Sequence, residues 1–71
     1  MSKVDVVVPN MAVSIMSGVA FVRIYGKGFL RRVELNYTDG RTESARLSKD
    51  EIEDGKTNFF EFVSMVQKEM V

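Results

Sequence analysis

The chain has 71 residues, ten basic and ten acidic side chains, 45% hydrophobic residues, and neither cysteine nor histidine. This length holds a single domain, residues 1–71, and buries only about 60% of the surface its unfolded form exposes. Balanced charge argues against a strongly basic nucleic-acid binder and a highly acidic DNA mimic, and the missing residues exclude disulfides and Cys/His metal centres.

No metal and no cofactor is expected. With no staple available, a partner surface, most simply a second copy of the chain, is expected to supply stability. The lack of cysteine fits a reducing compartment, and the cytoplasm is the expected location. Charge is unevenly placed along the chain. In residues 23–46, Arg23, Lys27, Arg31, Arg32, Arg41 and Arg46 stand against Glu34, Asp39 and Glu43, whereas residues 47–71 hold six acids and three lysines.

In chain order, residues 4–8 are a β-branched run stopped by Pro9-Asn10, which predicts a first strand and a turn. Residues 12–16 are expected to form a second strand. Ser17-Gly18 interrupts the pattern before residues 19–25, a strand apolar on both faces apart from Arg23, of the kind found at a sheet centre or an oligomer interface. The charge-free run of residues 6–22 barely reaches the ~20 residues of a membrane helix. Pro9, Asn10, Ser14, Ser17 and Gly18 break it, so a membrane span is disfavoured. A signal peptide is not expected, because the charged start is Lys3 followed by Asp5.

Residues 26–29 read as a glycine-punctuated turn, and residues 30–47 as a β-hairpin in which Val33, Leu35 and Tyr37 alternate with Arg32, Glu34 and Asn36. A two-residue Asp39-Gly40 loop would throw Ala45 and Leu47 onto the wrong face, so an odd loop is required. A three-residue loop, 38–40, sets Val33 against Ala45 and Arg32 against Arg46. Centring on Gly40 instead sets Leu35 against Ala45 and Glu34 against Arg46. Ser48 and Glu51 have capping-box spacing, which starts a short helical turn expected to stop at Gly55. Asn58 offers a similar cap to a last helix, whose stripe Phe59, Phe62, Val63, Val66 and Met70 should cover the sheet. Phe60 and Met65 fall off that stripe.

The expected fold is α+β, a mostly antiparallel sheet of three to five strands with a C-terminal helix on one face. Its element order resembles that of small single-strand-binding coactivator-like folds, a likeness of architecture alone.

Nucleophilic and general-base chemistry lack their usual His and Cys, and no enzyme is expected. Asp50, Glu51, Glu53 and Asp54 read as a solvated helix start without the alternating ligands of a calcium loop. Gly26-Lys27-Gly28 lacks the spacing and the Lys-Ser/Thr ending of a phosphate loop, and Lys27-Gly28-Phe29 does not continue into an RNA-binding strand signature.

Two binding readings remain. The first is a protein-interaction module or small regulator, homo-oligomeric or acting as an inhibitor or adaptor of a larger protein, with Met16, Val19, Phe21, Phe60 and Met65 as its interface. The second is a single-stranded nucleic-acid binder. Arg23, Lys27, Arg31, Arg32, Arg41 and Arg46 would contact phosphates while Tyr25, Phe29 and Tyr37 stack on bases. A membrane-associated microprotein ranks third.

Overall fold

The computed structural model describes residues 3–70. The β-branched start forms β1 (Val4–Val7) as expected, but the next segment is a helix, α1 (Met11–Ser17), rather than a second strand. Its ends explain the difference. Asn10 Oδ1 accepts from the Val13 N–H at 2.9 Å, and Gly18, at φ 75°, closes the helix by donating its N–H to the Ser14 carbonyl. Caps at both ends outweigh the strand preference of Val13 and Ile15. Among the described residues, no helix is long and apolar enough to cross a membrane.

β2 (Val19–Tyr25), β3 (Leu30–Tyr37) and β4 (Thr42–Ser48) complete a four-stranded antiparallel sheet in the order β1-β2-β3-β4. The apolar character of β2 on both faces has a specific cause. Val19 pairs with Tyr37 and Phe21 with Asn36, so Ala20 is an extra residue and the strand shifts register there. Val19, Val22 and Ile24 therefore all point into the core, while Phe21, Arg23 and Tyr25 point out. The β3–β4 hairpin uses the three-residue loop: Val33 pairs with Ala45 and Arg32 with Arg46, with Gly40 at φ 92°.

Ser48 caps α2 (Lys49–Thr57) in a full capping box, its hydroxyl accepting from the Glu51 N–H while Glu51 Oε1 accepts from the Ser48 N–H at 2.9 Å. Ser48→Ala is expected to cost about 0.5–2 kcal/mol, read as a lowered midpoint in thermal unfolding followed by circular dichroism. The helix does not stop at Gly55 but runs two residues further. α3 (Phe60–Glu69) follows, with Asn58 Oδ1 accepting from the Phe60 N–H at 3.3 Å rather than capping by the expected spacing.

Phe62 and Val66 of α3 and Ile52 of α2 bury fully against Val33, Leu35 and Leu47 of the sheet, with Phe59 and Val63 half-buried beside them. Met70, expected on that stripe, is exposed. The fold is α+β, with α2 and α3 on one face, α1 against β2 and α3, and, among the described residues, no helix on the other face of the sheet.

Candidate nucleic-acid interface

Strand pairing arranges the open face in rows that run across the sheet. One row is Val4, Tyr25, Arg32, Arg46; the next is Val6, Arg23, Glu34, Ser44; a third holds Phe21, Asn36 and Thr42. Neighbouring strands lie about 4.8 Å apart, so Tyr25, Arg32 and Arg46 fall within about 10 Å of one another.

Each side chain on this face has a definite partner or none. The Arg32 guanidinium lies 4.3 Å from the centroid of the Tyr25 ring, and that of Arg23 lies 5.1 Å from the Phe21 centroid. Glu34 gathers three neighbours onto Oε1. Arg23 approaches at 3.6 Å, and the Tyr25 hydroxyl and Asn36 Nδ2 each donate at 3.3 Å. Arg23 is thereby neutralised. Arg32 and Arg46 face each other across the strands, and among the described residues neither has an ion-pair partner within 4 Å. Two like charges opposed in this way disfavour the bare fold and favour an anion placed between them.

Of the nine residues expected to bind nucleic acid, Arg23, Tyr25, Arg32 and Arg46 share the open face, and exposed Lys27 and Phe29 stand in the turn that follows Tyr25. Three do not join them. Arg31 pairs with Leu47 on the helix-covered face, its Nε donating to the Gly28 carbonyl at 3.1 Å. Arg41 lies at the opposite end of β3, bound to Asp39 at 2.8 Å. Accepting from the Arg41 backbone N–H, and then from its guanidinium, lowers the Asp39 carboxyl below its ordinary range. Tyr37 is a core residue on the helix-covered side, and its ring carries the Arg41 guanidinium at 4.6 Å, so it does not join the open face. Its hydroxyl donates to Glu43, and burial, followed by that bond, raises it above the ordinary tyrosine range.

The five expected protein-interface residues are scattered. Val19 is fully buried because the bulge at Ala20 turns it inward. Met65, three residues after Phe62 on α3, packs against the core. Phe21 belongs to the open sheet, Met16 is exposed on α1, and Phe60 is partly exposed on α3.

Glu34, Asn36 and Ser44 escaped the sequence reading as site residues, although period-two spacing from Arg32 and Arg46 places them on the same face. The acids lie mostly elsewhere. Asp50, Glu51, Glu53 and Asp54 are on α2, across the sheet from the arginines. A shallow hollow at the α2–α3 junction is lined by Asp54, Thr57, Asn58 and Glu61. Among the described residues, no three acidic groups come together as a metal site.

Compared with protein-family models, curated proteins and solved structures, the chain matches none.

Proposed function

We propose that this protein is a non-catalytic cytoplasmic binding module that holds single-stranded nucleic acid on the open face of its sheet. One observation carries the reading: Arg32 and Arg46 oppose each other on the open face, beside the ring of Tyr25, and among the described residues neither has an acidic partner. Phosphate between the two guanidiniums removes their repulsion, and the guanidinium plane of Arg32 on Tyr25 is a platform on which a base can stack. Lys27, in the turn just past the end of the sheet, extends the track, whereas Phe29 continues the β3–β4 ladder opposite Lys49 on the side of Arg31. Segregation of acids onto the helical layer directs an anionic strand to the sheet side.

Fluorescence anisotropy of a labelled single-stranded oligonucleotide, titrated over a series of salt concentrations, tests this. Three phosphate contacts, by Arg32, Arg46 and Lys27, give a slope of log affinity against log salt of about −2. Absence of binding at low salt, or a slope near zero, would sink the proposal.

A second reading, an interaction module acting on a larger protein, is favoured by α1. Met11, Ile15 and Met16 lie on one side of it and are 76–79% exposed. Ile15→Lys would abolish such an interaction and leave oligonucleotide binding untouched.

A further inference from the structure

β4 is an edge strand guarded by polar and charged side chains, with Glu43 on its inner side and Arg46 on its outer side. β1, the other edge, carries Asp5 on its inner side, but among the described residues no charge of its own stands on its outer face, where Val4 and Val6 are 44% and 55% exposed and Val8, just beyond, is 71% exposed. Helices α2 and α3 pack over β3 and β4, and α1 packs against β2. The backbone is equally open. The Gly26 N–H donates to the Lys3 carbonyl at 2.9 Å. By the alternation of an antiparallel ladder, the polar groups of Lys3, Asp5 and Val7 then face β2, and those of Val4, Val6 and Val8 face outward without a strand to meet them.

We propose that a second copy of this chain occupies that edge, pairing antiparallel through β1 about a two-fold axis at Val6. Only one register uses every outward group and avoids a like-charge clash. With Val6 opposite the partner's Val6, Val4 meets the partner's Val8, and each of these is a hydrogen-bonded pair. Asp5 then faces the partner's Val7. Sliding the pairing by one step on each chain sets Asp5 against the partner's Asp5, which repels. Pro9, which has no N–H to give, falls at a position where none is needed.

The axis stands perpendicular to the sheet, so the product is a continuous eight-stranded sheet with both helical layers on one side and both arginine faces on the other. The dimer goes beyond the nucleic-acid reading and does not depend on it, because it is measured without any oligonucleotide.

Light scattering during size-exclusion chromatography, over a range of protein concentration, is expected to give twice the 8.1 kDa chain mass for the native protein. Val6→Lys, which sets two like charges at the axis, is expected to give a single-chain mass with unchanged circular dichroism. Ile15→Lys on α1 should remain a dimer. Hydrogen exchange on the native protein adds a check that needs no variant: the Val4, Val6 and Val8 amides are expected to be protected at high concentration and to exchange on dilution. A single-chain mass at every concentration, amides indifferent to dilution, or a dimer split by Ile15→Lys but not by Val6→Lys would overturn the proposal.

Discussion

Placing a methyl group on Gly55 is expected to destabilise the protein by about 2 kcal/mol, opposite in sign to glycine-to-alanine replacement in an exposed helix. Helix propensity alone would favour alanine by about 0.8–1.0 kcal/mol. A Cβ at Gly55, however, would stand 2.5 Å from Cδ1 and Cε1 of Phe62 and 2.8 Å from its Cγ. The ring has no room to retreat, being fully buried with Phe59 edge-on at 5.7 Å. Overpacking of this kind costs about 1–3 kcal/mol, and contact with three ring atoms puts it at the upper end, from which the propensity gain is subtracted.

For a domain this small, about 2 kcal/mol corresponds to a fall of roughly 8–16 °C in melting temperature. The urea midpoint would read the same loss. A shorter side chain at position 62 should relieve the contact. Phe62→Leu is therefore expected to cost less in the Gly55→Ala background than in the native chain, with a coupling of about 0.5–3 kcal/mol. A Gly55→Ala protein as stable as the native one would show that α2 and α3 do not press together at this point.

The same glycine shows what sequence reading can and cannot reach. A glycine after a capping box signals a helix end, because its usual role there is to take up a left-handed conformation. Gly55 instead lies inside the helix as the one residue small enough for Phe62, a neighbour that only the α2–α3 packing supplies. α1 failed for a related reason. The signals were present in Asn10 and Gly18, but Val13 and Ile15 outvoted them when propensity was read locally. By contrast, the β3–β4 register was legible to within two options, since strict alternation fixes which face each residue takes. Charge alternation likewise located half of the candidate face. Tyr37, Arg31 and Arg41 were misplaced because nearness in sequence to an arginine cluster says nothing about which side of a strand, or which end of it, a residue occupies.

Removing the opposed arginines should move stability and binding in opposite directions. Arg46→Ser is expected to stabilise the free protein by about 0.2–1 kcal/mol, because it deletes a like charge directly across from Arg32. Arg32→Ser gains the same relief but loses the stack on Tyr25, an exposed cation–π contact of about 0.5–1 kcal/mol, so its stability should hardly change. For oligonucleotide binding both changes are losses. At about 1 kcal/mol for each exposed charge–phosphate contact, the double variant should bind roughly 30-fold more weakly at low salt. Its salt slope should flatten by about 0.7 for each phosphate that is no longer neutralised.

Arg41→Ser supplies the control, since Arg41 is held by Asp39 at the far end of the sheet and should leave affinity unchanged. A merely solvated arginine pair would yield the gain in stability with no loss of binding. A pair that serves only the fold would yield a loss of stability. A more stable protein that binds its strand less well is the outcome expected of two charges held against the interest of the fold, and chemical denaturation together with anisotropy on the same preparations would distinguish the three.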